Sequence, residues 1–238
     1  MMIGTLVNTA GIVAGGLCGW GFGKVLRERH QETLTMACGV STLFIGVAGA
    51  IKQMLLNDGL PGGGTMLVVA CLALGALVGE IIDIERWFER FGEWLKVKTG
   101  NAKDKGFVNG FVTASLTVCI GAMAVVGSIQ DGISGDWSTL GAKSVLDLII
   151  IMVMTCSLGK GCVFSAIPVF ALEGGMTLLA QALKPLMTGR AMDYLSLVGS
   201  VLIFCVGLNL VWGKKVRVAN LLPALVFAVI AAFLPIQF

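Results

Sequence analysis

GCVFSAIPVFALEGGMTLLAQAL, residues 161–183, is a run of apolar and small residues that holds a single charge, Glu173. A helix needs about 20 such residues to cross the hydrocarbon core of a bilayer. If this run spans a membrane, the carboxylate is an intramembrane group; an ionised carboxylate without a partner is costly in such a medium. The solvent around residues 161–183 therefore decides the fold and frames the question of what Glu173 does.

The rest of the chain answers for lipid. Of its 238 residues 56% are hydrophobic and only 13% charged, and the mean hydropathy is +0.91. Soluble domains hold roughly 45–50% apolar and about 25% charged residues. The 33 glycines lie scattered among apolar runs, where small residues let helix backbones approach. The N-terminus lacks a basic leader with a small-residue cleavage site, so its apolar run is expected to stay as a span. All seven cysteines lie in apolar runs without a C-x-x-C pair, which points to small buried hydrophobes and to neither disulfide nor zinc. A lone His30 in a charged loop gives no metal site, and no cofactor is expected.

The pattern predicts an all-α, single transmembrane domain over 1–238, with eight spans: 3–23, 33–52, 64–83, 107–128, 142–158, 161–183, 193–213 and 217–236. Strict alternation is missing, which excludes a β-barrel. With eight spans, 13 of the 17 basic residues fall in the loops after the odd-numbered spans, and only Lys52, Lys143, Lys184 and Arg190 fall on the other side. The positive-inside rule then places the molecule in a bacterial inner membrane as a multi-pass protein with both termini extracytoplasmic. Ile84, Trp87, Phe88, Phe91, Trp94 and Leu95 recur on one helical face, with charges on the other. Residues 84–98 are thus predicted as an amphipathic helix lying on the cytoplasmic surface.

Gly11, Gly15, Gly19 and Gly23 stand four apart and form a glycine ridge that should meet another helix. GVSTLFIGVAGAIK (39–52) resembles SVLIFCVGLNLVWG (200–213), and AGGL (14–17) can be set against EGGM (173–176). This suggests an inverted repeat of spans 1–3 and 6–8, an arrangement found in secondary transporters with the substrate site at the repeat interface.

Ionisable and polar groups inside spans are the candidates for a substrate or ion pathway. They are Glu173; Asp147 with Lys143 four residues before it, a possible i,i+4 ion pair; Asp131 in an outer loop with turns at Gly132 and Gly135; and Asn8, Asn109, Thr113, Ser165, Asn209 and Asn220. For each uncharged residue an interhelical hydrogen bond is the simpler role. Pro168, Gly174 and Gly175 around Glu173 predict an interrupted helix, as does Pro223 in the last span. No phosphate loop, metalloprotease motif or nucleophile elbow occurs, and an enzyme is not expected. The basic loops suit lipid headgroups, not nucleic acid.

The chain resembles the YqgA/YdfK-like family of bacterial inner-membrane proteins, whose function is unknown. The resemblance rests on GTLVN (4–8), GFVTA (110–114), CIGAMAVVG (119–127), KSVLD (143–147), GCVFSAIPVF (161–170), GLNL (207–210) and RVANLLPA (217–224). It carries no mechanism. It implies Tyr-Gln-Gly in relatives where this chain has Leu172-Glu173-Gly174, and glutamine is isosteric with a protonated glutamic acid. From this and the lack of a basic neighbour in its own span, Glu173 is expected to be neutral and to line a pocket with Ser165 and Asn8. Three functions fit: a secondary transporter for a small solute or ion, a channel, or a non-transporting scaffold; any of them would act as a homo-oligomer in lipid.

Overall fold

The computed structural model describes residues 2–23, 28–56, 64–119, 122–186 and 188–234. Every regular element among them is helical: α1 (Ile3–Gly23), α2 (Glu28–Leu56), α3 (Thr65–Ile82), α4 (Ile84–Lys98), α5 (Phe107–Cys119), α6 (Ala122–Ser134), α7 (Ser138–Leu158), a 3₁₀ segment (Lys160–Ser165), α8 (Ala166–Leu178), α9 (Ala180–Leu183), α10 (Gly189–Trp212), α11 (Val218–Leu221) and α12 (Pro223–Ala231). Six of the helical stretches are long and apolar enough to cross a membrane. A seventh is obtained if α5 and α6, bent by 72° at their junction, form one crossing. The expected eighth span is a shorter apolar stretch, Val218–Ala231. Large apolar side chains such as Phe44 and Ile81 stand exposed, as they do where lipid is the solvent.

Backbone contacts between small residues set how the helices pair. Gly11, Gly15, Gly19 and Gly23 of α1 face Ser144, Leu148, Met152 and Cys156 of α7. The constant offset makes α1 and α7 parallel. A Cβ at Gly15 would fall on the Leu148 carbonyl, so only glycine allows this approach. α2 and α10 pack antiparallel, Gly46 opposite Phe204 and Gly207 opposite Leu43. α3 runs antiparallel to α11 and α12, through Gly79 against Asn220 of α11 and Gly75 against Ala224 of α12. α5 and α6 follow the 3₁₀ segment and α8 in parallel, with Gly161 against the Phe107 carbonyl and Gly132 against that of Thr177.

Three expectations are corrected. The helix is unbroken through Pro168, Glu173, Gly174 and Gly175. Pro168 is the third residue of α8, in the first turn, where a backbone N–H has no intrahelical acceptor to lose. The interruptions lie before and after it, in the 3₁₀ segment and at Leu179. Asp131 belongs to no loop: it sits on α6 and is fully buried. α7 begins at Ser138 instead of 142, so Lys143, counted above among the outer-side basic residues, lies more than a turn inside the helix and is buried. Pro223 does open a new helix, at the first position of α12, where its fixed φ suits a helix start.

Candidate functional site

Four side chains from three helices close into a ring. Asn8 of α1 donates through Nδ2 to Glu173 Oε1 of α8 at 2.8 Å and to Asp147 Oδ2 of α7 at 3.1 Å. Lys143 Nζ contacts the same two oxygens, bonding Asp147 and standing 3.6 Å from Glu173 Oε1. The two carboxylates are therefore bridged twice, once by an ammonium and once by an amide. All four residues are buried, with Asn8 and Glu173 at 0% exposure. At that separation the Lys143–Glu173 attraction is about 4–5 kcal/mol for an effective dielectric near 20. Lys143 donates a second hydrogen bond, 2.8 Å long, to the carbonyl of Val118. α5 ends one residue later, at Cys119, and carbonyls at a helix end lack intrahelical donors.

The charge on Glu173 thus has a cation beside it. The nearest basic residues along its own helix are too far, but Lys143 comes from the neighbouring helix. The i,i+4 pair expected within span 5 is present, and the same lysine serves both acids. Two acceptor atoms of the ring, Glu173 Oε2 and Asn8 Oδ1, are buried and have no hydrogen-bond partner among the described residues. Thr5 and Thr177 share a 3.3 Å hydrogen bond beside the ring, and Ser144 donates to the Val7 carbonyl. These contacts fix α1 between α7 and α8.

The remaining candidates are distributed differently. Ser165, expected beside Glu173, instead donates to the Cys162 carbonyl and closes the 3₁₀ turn. Asp131 accepts from the Gly4 N–H at 2.9 Å and so caps the N-terminus of α1, where a carboxylate is favoured by the helix dipole. Asn209 holds the loop after α10, accepting from Lys215 and Val216 and donating to the Val216 carbonyl. Asn220 accepts from the Glu85 N–H and donates to Glu80, joining α3, α4 and α11.

Asn109 and Thr113 line a cavity of about 830 Å³ together with Val112 and Leu116 of α5, Val206, Asn209 and Leu210 of α10, and Glu85, Glu89 and Lys214. α4 closes one wall. Its apolar residues split: Leu95 is buried, while Trp87, Phe91 and Trp94 are exposed. At the rim, Lys214 pairs with Glu85 and with Glu89, and Arg217 with Glu80. Partial burial lowers the Lys214 pKa, but the hydrogen bonds and charges of Glu85 and Glu89 outweigh it and hold the ammonium above its ordinary value. Leu116 of α5 lines the cavity and the Val118 carbonyl, two residues on, accepts from Lys143, so one helix touches both the cavity and the ring. The rim pairing was not read from the sequence; its only signal there was the row of acids on the polar face of residues 84–98.

Comparison with known proteins gives a consistent picture. Residues 3–233 match the family model described as "Protein of unknown function (DUF554)". The chain is 29% identical over 232 residues to an uncharacterised membrane protein, YdfK, of Bacillus subtilis (strain 168), covering 98% of this chain and 96% of that one. It is 30% identical over 232 residues to an uncharacterised protein, YqgA, of Escherichia coli (strain K12), covering 96% of this chain and 95% of that one. No solved structure matches.

Proposed function

The chain belongs to the DUF554 family, and from the site it carries we propose that it is a secondary transporter for a small solute, not an enzyme. One observation carries this reading: a closed ring of buried ionisable groups on α1, α7 and α8 bonds, through Lys143, the end of α5, the same helix whose earlier turns line a cavity of about 830 Å³. A channel needs a continuous polar path, whereas a transporter needs a path open to one side at a time.

The helix registers support the reading. α1 and α7 are parallel, which requires an odd number of crossings between them. Three crossings, α2, α3 and the bent α5–α6 pair, would fit this, and counting Val218–Ala231 as the last span would give eight in all. With Lys143 inside the ring, the basic residues opposite the cavity reduce to Lys52, Lys184 and Arg190. The cavity face is therefore taken as cytoplasmic, both ends as extracytoplasmic, and α4 as an interfacial helix.

The registers also fit an inverted repeat. Aligning 39–52 with 200–213 sets Gly46 on Gly207 and Leu43 on Phe204. Gly46 faces the backbone of Phe204 and Ser200, and Gly207 faces that of Leu43 and Gly39. These contacts exchange under the alignment, as a two-fold axis in the membrane plane demands. The same axis would exchange the parallel pair α1–α7 with α8 and α5–α6. α2 then packs closely along α7, while its counterpart α10 stands away from α5 across the cavity. One seam closed and its mate open is what a single state of an alternating-access carrier presents.

Reconstitution into liposomes tests the proposal. Saturable uptake from a small-solute panel, driven by an ion gradient and lost in Lys143→Met, is the expected result. Single-channel current would replace the carrier with a pore, and the absence of any flux across the panel and of any current would favour a scaffold.

A further inference from the structure

We propose that the Asn8–Lys143–Asp147–Glu173 ring is a one-proton site with Glu173 Oε2 as the acceptor, and that this proton is the coupling ion of the carrier; the coupling rests on the transport reading, the proton site does not. The argument is a charge count in a closed space. α7 contributes one ammonium and one carboxylate, Lys143 and Asp147. α8 contributes Glu173. α1 contributes only the neutral amide of Asn8. α5 contributes the Val118 carbonyl and, next in sequence, the thiol of Cys119, which is uncharged in its protonated form. With Lys143, Asp147 and Glu173 ionised and the thiol neutral, the ring carries one uncompensated negative charge. The side chains of Lys143, Asp147 and Glu173 are 7%, 6% and 1% exposed, so solvent does not supply the missing charge.

A single proton balances the ring, and the geometry says where it goes. Asp147 Oδ2 is in direct contact with the ammonium and with Asn8. Glu173 Oε1 accepts from Asn8 and is farther from Lys143. Glu173 Oε2 is the oxygen outside the ring, buried and without a hydrogen-bond partner among the described residues. Protonation there leaves every ring contact in place. An inorganic cation is a poorer fit, because Asp147 Oδ2, Glu173 Oε1 and the Val118 carbonyl already converge on the Lys143 ammonium, which fills the position a metal ion would take.

The same lysine gives the proton a mechanical readout. When Glu173 releases its proton, the full charge draws Lys143 toward Oε1 and away from the Val118 carbonyl. When Glu173 is protonated, Lys143 returns to Asp147 and to the end of α5. The preceding turns of α5, at Val112, Thr113 and Leu116, line the cavity. Proton occupancy thus biases the helix that forms the cavity wall, and the proton leaves or arrives on whichever side is open.

Infrared difference spectroscopy on the full chain in nanodiscs, titrated with pH, reads the site without a transported substrate. The expected result is a carboxylic-acid C=O band that titrates in the wild type and is absent in Glu173→Gln. Asp147→Asn is expected to remove the band near neutral pH as well, because one lysine then faces one carboxylate. Lys143→Met is expected to move the titration to higher pH. Should Lys143→Met not assemble, the two isosteric variants carry the test alone. The proposal is overturned by the absence of a Glu173-dependent band in the wild type, by a band that persists unchanged in Asp147→Asn, or by a midpoint that follows sodium concentration at fixed pH. A titrating band without uptake in the liposome assay would remove the transport reading and leave the proton site standing.

Discussion

Lys143 and Lys214 each lie between two carboxylates, Asp147 and Glu173 for the first, Glu85 and Glu89 for the second. The chemistry is the same and the solvent is not. The side chain of Lys143 is 7% exposed, that of Lys214 53%. In the buried ring each charge has lost its water and depends on the others. At the rim, water screens Lys214 and Glu89, and only Glu85 is buried. One arrangement is suited to registering a proton, the other to tying a surface helix to a loop.

The largest effect expected is on removing the buried cation. Lys143→Ala leaves two carboxylates facing each other without compensation and is expected to cost about 3–5 kcal/mol, read as a fall in unfolding midpoint in detergent. A loss below that of Lys214→Ala would erase the distinction between the clusters. Next comes the contact that sets the ring's geometry. Gly15→Leu pushes α1 off the Leu148 backbone and is expected to cost about 1–3 kcal/mol through overpacking, displacing Asn8 but sparing the rim. Normal assembly of this variant, with the wild-type infrared band, would separate the ring from α1–α7 packing.

Glu173→Ala strips Asn8 of one acceptor and is expected to cost about 1–3 kcal/mol, while Glu173→Gln, which keeps the acceptor, stays within about 1 kcal/mol of the wild type. Equal losses in the two variants would show that Asn8 gains nothing from the bond.

The smallest effect is at the rim. Lys214→Ala is expected to cost no more than about 1 kcal/mol, and the difference should shrink as salt is added, unlike that of Lys143→Ala. The pH dependence follows from the raised Lys214 pKa. Its stabilisation is fully present below the ordinary lysine value and is lost as pH rises through the higher folded value. The wild type and Lys214→Ala should therefore converge at strongly alkaline pH. A gap that persists there would mean that Lys214 acts through packing of its aliphatic stem.

Helical period and hydropathy were legible residue by residue. α1 and α4 have the limits expected from the sequence, 3–23 and 84–98, because apolar periodicity and charge at the ends are local properties. The Lys143–Asp147 pair was also legible, since residues four apart share a helix face. The start of α7 was placed four residues late, at 142 instead of 138. Lys143, although inside the expected span 142–158, was counted with the basic residues of the outer side because it stood one residue from that span's end. Asp131 was misplaced for a related reason: a carboxylate followed by glycine reads as a turn, and its acceptor role for Gly4 joins residues 127 positions apart.

The bend between α5 and α6 was not read from the sequence, because residues 107–128 hold neither a proline nor a charge. It makes sense only once Lys143 is seen to satisfy the carbonyl near the end of α5. By itself the sequence determined that this is an all-helical membrane protein, where most of its helices run, and that a carboxylate lies inside one of them. Which helices touch, and hence that Glu173 has Lys143 and Asn8 for neighbours, was decided by tertiary packing. The glycines of α1 admit the backbone of α7, and only that close approach brings charges from different helices within reach of one another.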